Sequence, residues 1–463
     1  MARPFFDDLR ELDRAATDRY EIESKILMEN AAAGVKNLLA EKNLLGKKTL
    51  IAVGSGDNGA DGYALSRMIP NAYLYEALPP KSKLCVLQKQ IAKNLQIPFA
   101  SLDDDFEVII DAVFGSGLSA PISGDLALLI EALNHKTATK VAVDVPSGVR
   151  CGMQKNDTAF CADYTATMGA LKTSLFSDFA KDFVGEITVC DLGLSAKKYT
   201  EGFASAGYLL DRDDFCLPHR KAKSSNKGDY GHLAIISGES AGASVIAANA
   251  ALRLGAGLVS IVSKERVDGG MCVMNKSTFP QNANAVSVGQ GLGDEYGLEE
   301  IEGAVRGRGV VMDADLFKKR YIGELLEICP TAILTPHPKE FSSLLSQTLG
   351  ISVSVLDVQT DRFGYAAMFC ERYPEITLVL KGANTIIRKG GEVFVMNFGT
   401  PALAKGGSGD MLCGAIGAYL AQGFVPLEAA KNGSLAVAIS ASNYKGNDYS
   451  MCADDVIKGF AWL

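Results

Sequence analysis

Short apolar runs, each ending in a glycine-containing loop that opens a helical stretch, recur along this chain. They restrict its fold more than any other feature. Thr49–Val53 (TLIAV) runs into GSGDNGADG and a helix through Ala64, Leu65 and Met68. Val108–Val113 (VIIDAV) leads into FGSGLSAPISG and a helix at Leu126–Leu133. Lys140–Val145 (KVAVDV) ends in Pro146, Ser147 and Gly148, and Tyr164–Met168 is followed by GALKTSLF. Apolar runs this short, without alternation, read as strands buried on both faces. Strands separated by helices build a parallel sheet through crossovers. Leu84–Leu87 is read as one more short strand. Ahead of these, apolar residues at helical spacing (Leu9, Leu12, Ala16, then Ile26, Leu27, Ala31, Ala32, Val35, Leu38, Leu39) predict two helices separated by Glu21–Ser24.

In an open parallel sheet, ligands bind outside the carboxyl ends of the strands. Four successive strand ends here carry Asn58, Asp111, Asp144 with Ser147, and Lys172. Independent turns and caps account for one such cluster more readily than for four. The first loop also has the spacing G-x-G-x-x-G at 54–59, the anion-binding corner of a strand–loop–helix unit. Asp57, Asn58 and Asp61 add oxygen-bearing groups that a purely structural glycine turn does not need.

Residues 195–231 lack periodic strands and gather Lys, Ser, Gly and Asp, which places a linker near 195–205 and an exposed basic loop at Arg220–Lys227. Strand-like runs then resume at His232–Ser237, Val259–Ser263, Ala285–Val288, Gly309–Met312, Ala332–Leu334 and Thr377–Leu380, with Glu392–Met396 as a hairpin partner. This predicts a second doubly wound sheet. Within this half, Lys405–Gly414 (KGGSGDMLCG) is a glycine turn feeding the N-terminus of an apolar helix, an end whose free N–H groups and dipole attract anions. Asp410 is repelled by any anion held there. It is either a helix cap or a general base that takes a proton from a hydroxyl attacking a terminal phosphoryl group. His337, between Pro336 and Pro338, is either structural or a positioned ligand contact. Lys381 meets a nucleotide phosphate or ribose, or is a solvated lysine in a turn.

The chain has 463 residues and a net charge of −8, which argues against non-specific nucleic-acid binding. Its ten cysteines form no CxxC and no zinc-like Cys/His spacing, as expected of reduced thiols in a cytosol. The charged opening lacks the apolar core of a secretory signal, and no apolar run reaches the roughly 18 residues of a membrane span. The expectation is a soluble cytoplasmic protein with no membrane or nucleic-acid partner.

The motifs GSGDNGADGYALSR, IIDAVFGSGLSAPISG, VAVDVPSGV and TMGALKTSLF, with the opening RELDRAATDRYEIESKILMENAAAG, resemble the YjeF N-terminal domain family of NAD(P)HX epimerases. The resemblance implies that Asn58, Asp111 and Ser147 help hold a potassium ion. It implies that Asp57, Asn58, Gly59, Ala60 and Asp61, the loop Gly115, Ser116, Gly117, Leu118, Ser119, Ala120 and Pro121, and Asp144 bind the hydrated dinucleotide. Asp144 and Lys172 would be the acid–base pair that inverts C6 of the hydrated ring. The family loop usually reads N-N-G-G-D-G, and this chain has DNGADG. Asp57 therefore adds a negative charge near bound phosphates. Ala60, if held at positive φ, would be strained by about 1 kcal/mol or more.

The second half, through GDYGHLAIISGESAGA, GQGLG, DADLF, TPHPKEF, VLKGANTII and NFGTPALAKGGSGDMLCG, resembles the ribokinase-fold NAD(P)HX dehydratases. By that resemblance Asp410 is the catalytic base and Gly406–Gly409 the anion hole. Lys381, Gly382, Ala383, Asn384, Thr385 and Gly409 would contact the adenine nucleotide. Ala243, Gly291, His337 and Asp410 would line the NAD(P)HX pocket. Lys405 and Ser408 stand where threonines are frequent, Lys405 as an added phosphate contact, and SASNYKGNDYS departs from the usual H-G-x-A-G-D. Together the halves resemble the bifunctional NAD(P)H-hydrate repair enzymes. The expected architecture is α/β with two doubly wound domains, a Rossmann-like domain at 1–200 and a ribokinase-like domain at 201–463. The implied cofactors are K+, Mg2+ and ADP, with ATP as the other candidate phosphoryl donor. The implied substrates are NADHX and NADPHX, and a homo-oligomer is expected. The alternative is a kinase of a small alcohol joined to a non-enzymatic YjeF-type interaction domain.

Overall fold

The computed structural model describes residues 2–463. Its contacts divide the chain into two units, Arg3–Tyr208 and Leu209–Leu463. Both are mixed α/β units with a largely parallel sheet, the fold class expected of the sequence. Among the described residues no helix is long and apolar enough to cross a membrane.

The first unit contains β1 (Arg3–Phe6), β2 (Thr49–Val53), β3 (Ala72–Glu76), β4 (Val108–Ala112), β5 (Thr139–Val143), β6 (Tyr164–Met168), β7 (Leu171–Lys172) and β8 (Glu186–Cys190). Six of them form one sheet in the order β3-β2-β4-β5-β6-β8, paired parallel throughout. β1 pairs parallel with β7. The continuous apolar runs are explained by burial on both faces. Ile51, Val53 and Ile110 pack into one cluster with the helices Ser24–Glu41 and Asp57–Ser66, while Leu50, Ala52 and Ile109 face Leu129, Ile130 and Leu133 of Asp125–His135. From β2 the chain moves outward to β3 and then returns to the other side of β2 as β4. The crevice between the ends of β2 and β4 is therefore the switch point, where ligands of such sheets bind.

One strand expected from sequence is not there. Leu84–Leu87 lies inside the helix Lys83–Asn94, and the strand beside β2 is β3. Ser82 caps this helix by accepting the N–H of Cys85, and Cys85, Gln88 and Ala92 form its buried face. Val86 and Leu87 point to solvent, 53% and 39% exposed, so the apolar run that looked like a strand is split between two helix faces. β3 (AYLYE) was hidden because it is buried on alternate residues only.

A short strand, β9 (Gly207–Leu209), falls at the division between the units. The second unit then adds β10 (His232–Ile236), β11 (Leu258–Val262), β12 (Met274–Lys276), β13 (Ala285–Val288), β14 (Gly309–Met312), β15 (Ile333–Leu334), β16 (Thr377–Leu380), β17 (Thr385–Lys389) and β18 (Glu392–Met396). Their order is β12-β11-β10-β13-β14-β15-β16-β17-β18, parallel up to β16 and antiparallel beyond it. The reversal of direction lies between β10 and β13. The hairpin differs from the sequence reading: the partner of β16 is β17, with β18 outside it, so KGANTII is a turn followed by a strand rather than a loop.

The helix Ser408–Ala421 is the centre of this unit's packing, with every residue from Met411 to Ala421 buried. It can approach the helix Ala241–Arg253 because Gly414 has no side chain: a Cβ there would lie 2.0 Å from the Ala247 carbonyl oxygen. Gly414→Ala is therefore expected to destabilise the protein by about 1–3 kcal/mol through overpacking. Gly391→Ala, where a Cβ would meet nothing within 4 Å, should stay within about 0.5 kcal/mol of the parent. Urea unfolding of the two variants checks both values.

Candidate functional site

Each unit gathers polar side chains along the carboxyl edge of its own sheet. In the first unit a cleft of about 1210 Å³ is lined by Asp13, Asp57, Asn58, Asp61, Gly115–Ala120, Asp144, Met168, Lys172 and Tyr199, among others. Its centre is an ion pair, Lys172 Nζ to Asp144 Oδ1 at 2.7 Å, with both side chains largely removed from water. Asp144 Oδ2 accepts the Ser116 N–H at 2.9 Å and Oδ1 the Met168 N–H at 3.4 Å. Asp144 itself sits at φ 69°, an unusual backbone state for a non-glycine residue and one that clusters at functional sites. Burial pushes its carboxyl up. The Lys172 charge and hydrogen bond, with the two backbone donors, more than offset this and hold it below the usual carboxylate range. Lys172 is caged further by Thr167 Oγ1 at 2.8 Å and by the carbonyls of Met168 and Ala170 at 3.1 and 3.3 Å.

Around this pair the groups differ sharply. Asp61 is driven far upward by burial and by the negative charges of Asp144, Asp57 and Asp13. Asp111 lies at the end of β4, wholly buried, and accepts the Ser147 N–H and hydroxyl, each at 2.7 Å, and the Val113 N–H at 3.1 Å. Burial outweighs these bonds and raises it to about 6. The Asn58 amide is buried with neither Oδ1 nor Nδ2 hydrogen-bonded. A Cβ on Gly115 would lie 2.8 Å from Asp144 Oδ2 and 3.3 Å from Asn58 Oδ1, so glycine is what lets this loop close over both.

In the second unit the parallel strands β13 to β16 deliver Gly291, Asp313, Thr335 with His337, and Lys381 to one edge. Lys381 Nζ lies 3.0 Å from Asp313 Oδ1 and 3.6 Å from Glu340 Oε2. Burial works against its charge, but the two carboxylates more than offset that and raise it. Asp313 also accepts the Thr335 hydroxyl at 2.9 Å. Gly407 caps the helix Ser408–Ala421 at φ 91°, and a Cβ on Gly409 would lie 3.3 Å from Lys381 Nζ and 3.6 Å from Asp313 Oδ2. Asp410, in the first turn, is raised by burial first and then by the charge of Asp313, with Lys381 opposing and Glu340 adding. A carboxylate raised this way is a better proton acceptor than a solvated one. At the switch point the Gly291 carbonyl accepts the Ser240 N–H at 2.9 Å, and Ser240 receives the Ala243 N–H, so Ala243 and Gly291 share one corner.

Residues 233–460 match the family described as NAD(P)H-hydrate dehydratase, and residues 24–174 match the YjeF-related protein N-terminus. The bifunctional NAD(P)H-hydrate repair enzyme of Helicobacter pylori is 36% identical over 98% of this chain and 98% of its own length. The corresponding enzymes of Coxiella burnetii and Escherichia coli are 31% and 28% identical, over 97% and 93% of this chain and 96% and 87% of theirs. This chain belongs to the bifunctional NAD(P)H-hydrate repair enzyme family. Among solved structures, an ADP/ATP-dependent NAD(P)H-hydrate dehydratase from Bacillus subtilis is 25% identical, covering 52% of this chain and 92% of that one with a TM-score of 0.44.

Measured against the repair-enzyme family's expected residues, the first cleft brings together Asp57, Asn58, Asp61, Gly115 to Ala120, Asp144 and Lys172. Gly59 and Ala60 are buried in the helix instead, Pro121 lies outside the lining, and Asp111 with Ser147 sits at the buried end of β4. Ala60 does not have positive φ, so the strain considered for it is absent. In the second unit His337 is the N-cap of Pro338–Leu349: its Nδ1 accepts the N–H groups of Lys339 and Glu340, both at 3.2 Å. Lys405 Nζ donates to the Tyr449 carbonyl at 2.7 Å. Lys381 is an ion-paired, largely buried side chain and not a solvated one. Ala383 and Asn384 lie in the turn between β16 and β17, and Thr385 opens β17.

Sequence reasoning passed over Arg362, 3% exposed, whose guanidinium donates to the carbonyls of Asn384 at 2.5 Å and Leu380 at 2.6 Å and so fixes that turn. It also passed over Asp313, although DADLF followed a strand. A carboxylate at that strand end was the available signal.

Two stability effects follow from these charges. Lys381→Met leaves Asp313 and Glu340 buried without their cation and is expected to cost about 3–5 kcal/mol, read by urea unfolding. Asp111 has a folded value of about 6, above an unfolded value near 3.9, so the folded state binds more protons between them. In potassium-free buffer, stability should therefore fall as pH rises from about 4 to 6, and Asp111→Asn should flatten that slope in thermal melts.

Proposed function

We propose that the second unit dehydrates S-NAD(P)HX at the expense of ADP and that the first interconverts the R and S hydrates, so that both return to NAD(P)H. What carries this reading is that each acid–base centre stands at its own sheet's active edge in a chain related end to end to bifunctional repair enzymes.

In the second unit Asp410 takes the proton of the C6 hydroxyl as that oxygen attacks the terminal phosphoryl group of the nucleotide. The free N–H groups behind Gly407 receive the phosphoryl oxygens. Lys381 and Asp313 hold each other beside Gly409, which fixes the field around Asp410. AMP departs with the electrons of the broken P–O bond. Phosphate then leaves C6 far more readily than hydroxide would, and loss of a proton from C5 restores the dihydronicotinamide. Mg2+ arriving with the nucleotide would neutralise charge developing on the transferred group. Lys381 to Thr385 and Gly409 would meet the adenine nucleotide, and Ala243 and Gly291 the hydrated ring. His337 has its Nδ1 committed to the helix cap and its Nε2 3.1 Å from Glu340 Oε1, so it would offer the pocket its ring carbons and not a free nitrogen.

In the first unit the Asp144–Lys172 pair gives a proton to the C6 hydroxyl as it leaves as water, with the ring nitrogen's lone pair moving to C6, and takes a proton back from the water that re-adds to the opposite face. The 115–121 loop and Asp57 to Asp61 hold the dinucleotide meanwhile. The unpartnered amide of Asn58 and the buried carboxylate of Asp111, brought to neighbouring strand ends by the pairing of Val53 with Ala112, suit a hard cation. Potassium held by Asn58, Asp111 and Ser147 would supply positive charge for the dinucleotide's phosphates. The ten free cysteines fit the reducing cytoplasm as the place of work.

Mixed R,S-NADHX incubated with Mg2+, K+ and ADP should recover its full reduced-nicotinamide absorbance, faster than the epimers interconvert unaided. Asp144→Asn should stall with the R form remaining, and Asp410→Asn should slow recovery of the S form by about 10²–10⁴-fold. The rate of the parent dehydratase should fall on the acid side as Asp410 is protonated, above the pH expected of an unperturbed aspartate. Recovery with ATP alone would reassign the donor. A phosphorylated product accumulating without NADH would overturn the repair reading in favour of a small-alcohol kinase.

A further inference from the structure

The Asp144–Lys172 pair depends on a tight turn, and that turn rests on two residues that play no part in the chemistry above. Within residues 168–172, the carbonyls of Met168 and Ala170 accept Lys172 Nζ at 3.1 and 3.3 Å, and the Met168 N–H reaches Asp144 Oδ1 at 3.4 Å. A shift of this turn moves two acceptors of the ammonium and one donor of the carboxylate at once. At its apex Gly169 has φ 70°, and a Cβ there would lie 2.5 Å from Tyr199 Cε1. The Tyr199 ring, 3% exposed, thus bears directly on the turn. Its hydroxyl donates to Asp13 Oδ1 at 2.7 Å, and Asp13, from the helix Arg10–Tyr20, lines the same cleft as Asp144 and Lys172.

We propose that Asp13 and Tyr199 are positioning residues of the epimerase centre: Asp13 fixes the Tyr199 hydroxyl, the Tyr199 ring fixes the 168–172 turn, and the turn sets the Lys172 ammonium against Asp144. This rests on Asp144 and Lys172 being the acid–base pair. A lysine on a flexible four-carbon stem keeps one geometry only where its surroundings do. Catalytic groups lose rate steeply when displaced by fractions of an ångström. Mere docking of the helix is secured separately, since Arg19 donates to the Glu201 carbonyl at 2.8 Å and the Tyr20 hydroxyl to Glu201 Oε2 at 2.9 Å. That separation makes the two roles distinguishable.

The test uses the full chain and follows conversion of purified R-NADHX to the S form by chromatographic separation of the epimers. Tyr199→Phe keeps the ring and removes only the hydroxyl; Asp13→Leu removes the acceptor. Each is expected to lower the epimerase kcat roughly ten-fold or more with KM unchanged. The double variant should be no slower than the worse single one, because the two act through one contact. Tyr20→Phe, which loosens helix docking alone, should keep the parental kcat. If Asp13→Leu fails to fold, Tyr199→Phe against Tyr20→Phe decides. A parental kcat in Tyr199→Phe, or an equal loss in Tyr20→Phe, would overturn the positioning role while leaving the function intact. A parent chain that dehydrates the S form but does not interconvert the epimers would overturn the acid–base assignment, and the positioning role with it.

Discussion

Parallel strand pairing in a fixed register is the constraint on which both sites depend. Val53 pairs with Ala112, Asp111 with Ala142, and Val143 with Ala166, so the loops that follow these strands must emerge side by side. Asn58, Asp144 and Lys172 of the first cleft, with Asp111 and Ser147 beside it, are spread over more than a hundred residues of sequence, and the segments that follow parallel strands bring them to one edge. The second unit repeats the device between β10 and β16, then adds a part that the sheet does not supply. Asp410 comes from a helix threaded through the core, and its place is set by the close approach of Gly414 to the Ala247 carbonyl. Packing density governs that approach, so the position of Asp410 is a property of the whole helix layer.

The two sites handle charge in the same way. Each buries a lysine against carboxylates, Asp144 in one and Asp313 with Glu340 in the other, and leaves a further carboxylate without an ion pair of its own. Asp144 is paired with Lys172 and held low while Asp61 is driven up; Asp313 is paired with Lys381 while Asp410 is raised. In the first cleft the environment pushes Asp144 and Asp61 in opposite directions, which is how one pocket keeps a proton donor and a proton acceptor at the same pH. The lysines therefore do electrostatic work even where they touch no substrate.

What could be read from sequence follows from range. β2, β4 and β13 are buried on both faces, so their runs are almost wholly apolar, interrupted only by Thr49, Asp111 and Ser287, and they stand out in the sequence. β3 is half-buried and interleaved with Tyr and Glu, and the helix at Lys83–Asn94 hides its inner face behind a polar Gln88, so part of the helix reads as a strand and β3 itself goes unread. Glycine loops at strand ends marked both sites because the chemistry of a tight turn is local. The state of Lys381 was not local: its partner Asp313 is 68 residues away. Asp13 and Tyr199 are separated by 186 residues and had no signal beyond an acidic group on a helix and a tyrosine near a linker. His337 looked like a ligand contact because two prolines enclosed it, yet Pro338 at the first helical position is also what a capped N-terminus requires.

The departure DNGADG, seen against the backbone that carries it, bears on ligand binding and not on folding. Gly59 is the position that cannot change, since a Cβ there would lie 2.1 Å from the Gly54 carbonyl oxygen. Ala60, one residue on, donates its N–H to the Gly56 carbonyl at 3.2 Å in an ordinary helical turn and buries its methyl completely. The alanine adds apolar contact where a glycine would only add chain entropy in the unfolded state. Asp57 stands exposed in the first turn of the same helix, where the dipole favours a carboxylate. A phosphate bound at the same end of the helix, as proposed for the dinucleotide, would compete with that carboxylate for one positive terminus. The cation proposed for Asn58 and Asp111 would relieve that competition, and so would link the buried, unpartnered amide to the acidic residue that precedes it.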